Sequence, residues 1–131
     1  MADVLLTADE TLTSDYHSNV FLGFSTCAPP NFIPDWLFRG IFFPPLKTDK
    51  CGLPKAAPYG LRKIEAQLLN EGFNVTTVSP HHLKENLNDT KVLGIHVMDP
   101  FGLGPASSTL AALFKKEPFL AKYFERLMRD P

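Results

Sequence analysis

Hydrophobic positions along the chain fall into short blocks whose spacing alternates between strand and helix. Val4-Leu5-Leu6-Thr7 is a compact apolar block ending at Ala8-Asp9, and it predicts a first strand. Pro58 opens the clearest helix, PYGLRKIEAQLLNEG, in which Leu61, Ile64 and Leu68 recur at helical spacing with Leu69 beside them. Gly72 suits a left-handed cap, and Phe73 just after it can pack back on Leu68. Phe73 to Val78 predicts a second strand, stopped by Ser79-Pro80. His81 to Leu87 predicts a short helix or turn, with Asn88-Asp89 as loop. Val92 to Met98 is a run of aliphatic and branched residues between Lys91 and Asp99-Pro100, and it predicts a third strand buried on both faces. Asp99 to Gly104 breaks that strand, Pro105 suits the first turn of a helix, and Ala106 to Phe114 continue it. Glu117-Pro118 opens a last helix with an apolar stripe of Leu120, Tyr123, Phe124, Leu127 and Met128.

This alternation predicts an α/β fold with a mostly parallel sheet of Rossmann or flavodoxin-like type. Only three strands are visible where the full doubly wound sheet has five. The chain is therefore expected to be one domain, residues 1–131, lacking the last strands and forming an amino-terminal piece of a longer protein. The loop after the third strand lies at the carboxyl end of the sheet, where such folds place ligands, and it leads into a helix start that offers amides to an anion.

Composition changes the picture between residues 10 and 57. This stretch holds six of the twelve prolines and eight of the fifteen aromatics, Phe32, Trp36 and Phe38 among them. Prolines forbid a long regular element, yet so many aromatics are wrong for disorder. An ordered insertion follows. It packs its aromatics on the core, or it serves as a lid or interface.

The formal charge of −1 gives no support to nucleic-acid binding, and no apolar run approaches the ~20 residues of a membrane span. Cys27 and Cys51 make no disulfide framework, which leaves two reduced thiols in a cytoplasmic protein as the expectation. The adjacent His81 and His82 suit a turn or helix start, and His96 suits a hydrogen-bonded place in a strand.

Several stretches resemble a known family. APYGLRKIEAQLLNEGF, SPHHLK, DTKVLGIH from Asp89 and GIHVMDPFGLGPASS are similar to the amino-terminal cobalamin-binding-type domain of cobalamin-type radical S-adenosylmethionine proteins, in an archaeal, uncharacterised branch. The resemblance implies a Rossmann-like domain holding cobalamin over the strand ends, followed by a catalytic barrel domain as partner. It places the cofactor near Asp9, His17, Asp99, Phe101, Gly102 and Gly104, with Ser107 and Ser108 as donors to a phosphate or corrin amide. Asp15-Tyr16-His17 matches the aspartate and histidine of a cobalt-ligating motif, which makes His17 the candidate metal ligand, but Val20 stands where that motif has glycine. The family's cluster-binding half needs three closely spaced cysteines. This chain has only Cys27 and Cys51, so no iron–sulfur cluster is expected in it.

Gly102-Leu103-Gly104-Pro105-Ala106-Ser107 is also similar to a dinucleotide fingerprint, but it follows the third strand and Pro105 removes a donor. Three readings follow: a cobalamin-type module not catalytic by itself, a nucleotide- or flavin-binding flavodoxin-like domain, and a cofactor-free interaction or substrate-capping module. Open sheet edges and the last helix, with Leu120, Phe124 and Leu127, lead to the expectation of a homodimer.

Overall fold

The computed structural model describes residues 2–29, 33–88 and 90–129. Pro30 and Phe32 of the aromatic stretch, Asp89 of the family-like DTKVLGIH, and the terminal Asp130-Pro131 lie outside them. The fold is α/β with a three-stranded parallel sheet, as expected. The chain divides into two compact units, residues 2–13 with 46–97 and residues 14–45 with 98–129.

The first unit carries strands β1 (Val4–Ala8), β2 (Val75–Thr77) and β3 (Val92–His96) with helices α2 (Tyr59–Asn70) and α3 (Leu83–Asn86). Sheet order is β2-β1-β3, all parallel. These are the first three positions of the flavodoxin-like order. β1 is central and buried along its whole length, because it is paired on both sides: Val4 faces Val75 on one strand and Val92 on the other. Its start is fixed by the backbone. The Asp3 and Val4 amides donate to the Asn74 carbonyl, and the Asp3 carbonyl accepts from Lys91 and Val92. Val4, Leu6 and Ala8 pack with Leu61 of α2 and Val75 of β2. Burying each of the larger side chains contributes roughly 1.5–3 kcal/mol.

α2 ends as its sequence requires. Gly72 adopts φ +87°, its amide donates to the Leu69 carbonyl, and the Phe73 amide donates to the Leu68 carbonyl. Of the predicted apolar face, Leu61 is buried and Leu68 joins the core, whereas Ile64 is exposed. β3 corrects one expectation. It is an edge strand, not one buried on both faces. Val92 is exposed, the rest is half-buried, and the strand stops at His96, leaving Met98 outside it and exposed. An apolar run alone cannot tell a central strand from an edge, because pairing on the second side is decided elsewhere in the chain.

The second unit is built from the aromatic stretch and the carboxyl-terminal quarter: helices α1 (Asp35–Phe42), α4 (Pro105–Phe114) and α5 (Phe119–Arg129), with 3-10 turns at Tyr16–Ser18 and Val20–Cys27. The stretch is thus more regular than a loop. Its described residues contribute a two-turn helix and no strand beyond the isolated bridges Ser14–Pro45 and Thr48–Pro54, the latter within the first unit. Phe38 and Phe43 are buried against Phe119 and Tyr123, with Tyr16 and Phe42 packed around them. Phe21, Phe24 and Trp36 are exposed. The stripe on α5 is therefore largely covered, not an open face: Phe119, Leu120 and Tyr123 are buried, Phe124 and Leu127 half-buried, and Met128 exposed.

Candidate functional site

In the first unit the chain leaves β1 toward β2 and returns to β3 on the other side, so the crevice at the carboxyl ends of β1 and β3 is the topological switch point. Asp9 stands there. Its amide donates to the His96 carbonyl (3.2 Å), and its Oδ1 accepts from the Thr11 amide (2.8 Å) and the Thr11 hydroxyl. The side chain is 4% exposed. Burial pushes its carboxyl above the usual range, against the opposing pull of the Thr11 hydroxyl, the Thr11 and Leu12 amides and the nearby His96 imidazole. The His96 ring lies at the start of α2, since a Cβ on Gly60 would stand 3.5 Å from its Cε1. That helix start has Pro58 as N-cap and no side-chain cap. His81 Nδ1 lies 3.6 Å from Glu10 Oε1. The strand ends therefore gather a buried acid, two imidazoles and an uncapped helix start, an arrangement able to hold a proton or fix a polar ligand group.

A raised native pKa means that the folded state holds the Asp9 proton to higher pH than the unfolded chain does. Asp9 therefore lowers stability as pH rises through the window from the ordinary carboxylate value to the raised one, and the loss persists above it. Asp9→Asn keeps an oxygen for Thr11 and removes the buried charge. Its urea midpoint should exceed that of the wild type at pH 7 and converge with it near pH 3. A variant less stable at pH 7 than at pH 3, relative to wild type, would refute this account.

In the second unit the loop after β3 is organised around Asp99. Oδ1 accepts from the Leu103 amide (2.9 Å), Oδ2 accepts from the Gly104 amide (3.0 Å), and the Asp99 carbonyl accepts from the Gly102 amide. The buried Ser107 hydroxyl donates to the same carboxylate. Burial opposes ionisation here, but the hydrogen bonds from Ser107 and from the Gly104, Leu103 and Gly102 amides outweigh it and hold the carboxyl below its usual range. The amides expected to receive an anion before α4 are thus occupied by the chain's own carboxylate. Gly104 is glycine because a Cβ would stand 2.8 Å from Asp99 Oδ2. This stabilisation is complete above the ordinary carboxylate pKa and is lost as pH falls through the depressed one. Asp99→Ala should cost about 1–2 kcal/mol at pH 7, the scale of a lost cap, with a smaller difference at pH 2. Equal losses at both pH values in urea titrations would exclude an ionised cradle.

The other nominated residues are placed as follows. Phe101 is exposed and meets Phe124 edge-on at 6.4 Å. The Ser108 hydroxyl is exposed and donates to the Pro105 carbonyl within α4. Gly102, at φ +65°, lies where a Cβ would meet Pro118. His17 is exposed, follows Tyr16 and precedes Ser18 in three consecutive left-handed residues, and directs Nε2 at the Ile41 carbonyl (3.0 Å) as donor. Asp99, Gly104 and Ser107 thus share one hydrogen-bonded cluster, whereas Asp9 belongs to the other unit. Among the described residues no group of three or more His, Cys, Asp or Glu is placed to hold a metal ion, and Cys27 and Cys51 are free thiols. No helix among them is long and apolar enough to cross a membrane.

Two clusters escaped the sequence reading. His82 Nδ1 lies 3.0 Å from Glu85 Oε2, and Nε2 lies 3.5 Å from Thr48 Oγ1. The signal was the helical His82-x-x-Glu85 spacing, but nothing local pointed to Thr48. The hydroxyl contact is at the long limit of a hydrogen bond, and the adjacent Cys51 and Leu53 amides are engaged by Asp49 Oδ1. The trio therefore pins the Thr48–Pro54 bridge and lacks the donors that acyl transfer needs. The second cluster is a set of cations on α5.

No protein-family model matches the chain, and no curated protein or solved structure is similar to it.

Proposed function

We propose that this chain is a cofactor-binding α/β module, not catalytic by itself, whose ligand lies at the carboxyl ends of β1 and β3. The observation that supports the reading is Asp9, a carboxylate buried at the switch point with its pKa raised by burial. Such a group lowers stability at neutral pH, and groups of this kind concentrate at functional sites. The family resemblance names the ligand class as cobalamin and the source of chemistry as a radical S-adenosylmethionine barrel. Of the residues it nominated in the second unit, Asp99, Gly104 and His17 already direct polar atoms at partners within the chain. Asp99 engages the Leu103 and Gly104 amides, and His17 Nε2 engages Ile41. Asp9 is the nominated residue that lies in the unit carrying the sheet, at the strand ends. The β2-β1-β3 order equally supports a flavin or nucleotide, which flavodoxin-like sheets hold between β1 and β3.

Titration with hydroxocobalamin and with flavin mononucleotide tests the reading. The expected result is a saturable absorbance change with hydroxocobalamin that Asp9→Asn weakens at least tenfold. The same behaviour with flavin instead moves the chain to the flavin class. Silence with both overturns the cofactor reading and favours an interaction module, which the exposed Phe21, Phe24, Trp36, Phe101 and Leu103 independently support. The homodimer expectation rests on β3, an edge strand without charge or proline to block pairing, and light scattering tests it.

A further inference from the structure

We infer that the outward face of α1 is a self-association surface, seated on the same face of a second copy of this chain across a two-fold axis. The helix is apolar on two faces. Phe38 and Phe42 pack into the aromatic core. The two charged residues turn toward α5: Lys122 Nζ lies 2.8 Å from Asp35 Oδ2, and the Arg39 guanidinium stands 5.5 Å from the centre of the buried Tyr123 ring. The outward positions are Trp36, Leu37, Gly40 and Ile41, all exposed and all without charge. A surface helix ordinarily turns its charges to solvent, and one that is apolar all round is covered all round. The apolar surface continues beyond the helix. The 3-10 segment Val20–Cys27 packs against α1, and His17 Nε2 lies 3.0 Å from the Ile41 carbonyl, which holds the chain just before Val20 and Phe21 beside the end of α1. Val20 and Phe21 are exposed, and residues 16–34 contain no Asp, Glu, Lys or Arg.

Charge, shape and area select a second copy as the occupant. Across a two-fold axis each side chain meets the same surface of its twin, so any charge would face its like; a face without charge is what that contact requires. Trp36 and Gly40 are one helical turn apart. Antiparallel pairing about the point between them therefore lays Trp36 of each copy on Gly40 of the other. Nothing within one copy calls for that glycine. A Cβ there would meet nothing within 4 Å, and alanine favours a helix more than glycine does. The protruding Trp36, 73% exposed, and the notch at Gly40 are thus self-complementary. Covering Trp36, Phe21, Val20, Leu37 and Ile41 removes roughly 300–600 Å2 per copy, taking ~150–250 Å2 for a whole aromatic and about half that for an aliphatic, scaled by present exposure. The pair reaches about 600–1,200 Å2, the low end of specific interfaces, so the dimer should dissociate in the micromolar range. The surface belongs to the second unit and depends on neither the cofactor reading nor the β3 edge.

Trp36 is the only tryptophan in the sequence, so its fluorescence reports on this surface alone. The test follows that emission, together with sedimentation of the whole chain, through a dilution series spanning the micromolar range. The expected result is a dimer whose dissociation on dilution shifts the emission to the red. Gly40→Ala should weaken the dimer at least tenfold by filling the notch, and Ile41→Glu should do the same by setting like charges across the axis. Gly40→Ala should also keep the near-ultraviolet dichroism of the aromatic cluster, with a urea midpoint for the dilute chain no lower than that of the wild type. Loss of the dimer in that variant then cannot come from loss of the fold. A dimer whose emission is unchanged by dilution, or one that Gly40→Ala leaves undiminished, would overturn the surface and place the contact elsewhere, as at the β3 edge. A chain that is monomeric at every concentration would overturn it too, and a blue shift of that monomer with phosphatidylcholine vesicles would make a lipid surface the occupant instead.

Discussion

Replacing Phe119 by alanine is expected to abolish the fixed packing of the second unit. The side chain is fully buried, stacks on Tyr123 at 4.2 Å, and meets Phe38 at 4.6 Å and Phe43 at 4.9 Å between ring centres. It therefore touches every other buried aromatic of that core. Truncating a buried phenylalanine costs about 3–5 kcal/mol, and each aromatic pair adds about 0.5–1.5 kcal/mol to what area alone predicts. A whole domain is stable by only about 5–15 kcal/mol, so this loss is a large part of the total. Among the described residues, the unit's four buried aromatics come from α1, the residue after it, and α5, so one cavity undoes contacts across both segments. Loss of the near-ultraviolet dichroism of the aromatic cluster and a large drop in urea midpoint should follow. Phe24→Ala is the control. Phe24 is 65% exposed, and its replacement should change stability by no more than about 0.5 kcal/mol. Equal effects of the two substitutions would mean that the core has been placed on the wrong residues.

That comparison also marks the limit of what the chain discloses before folding. Strand and helix positions were legible where the cause is local. The Pro58 start, the Leu68-to-Phe73 cap and the Pro105 start lie in the residues themselves, and the helices formed there. The composition of residues 10–57 announced an ordered, aromatic-rich body. It did not distinguish Phe38 and Phe43, which are buried, from Phe21, Phe24 and Trp36, which are not. That choice is made by α5, more than seventy residues away in sequence from Phe43. β3 was misjudged for the same reason, since only the sheet decides which strand has two neighbours. At the candidate site, Asp9 was legible as the residue that ends β1, but its burial was not. The loop after β3 reads in sequence as a cradle for a ligand because its glycines, helix start and Asp99 are all assigned to the ligand, whereas Asp99 serves the loop's own amides. Asp99 stands four and five residues before the amides it engages, and that spacing was the available signal.

Gly102 carries the second large effect, and it separates two meanings of a glycine in such a loop. A glycine that lets a ligand approach the backbone could be replaced by alanine with loss of binding and little loss of stability. Here the close approach is made by the chain itself. At φ +65° the residue adopts a left-handed conformation, which costs an alanine roughly 1–2 kcal/mol. A Cβ would also stand 2.8 Å from Pro118 Cγ and 3.1 Å from its Cδ, and a proline ring cannot swing aside as a long side chain can. Relieving that overlap adds about 1–3 kcal/mol. The ring belongs to the turn that enters α5, where Phe119 begins the aromatic core, so the displacement is carried into the packing described above. Gly102→Ala is accordingly expected to destabilise the second unit by about 2–5 kcal/mol, read as a lower urea midpoint with the aromatic dichroism as probe. Gly23→Ala is the matched control, since a Cβ there meets nothing within 4 Å and its φ is not in the left-handed region. A Gly102→Ala variant as stable as the control, yet impaired in ligand binding, would return this loop to the role of a ligand cradle.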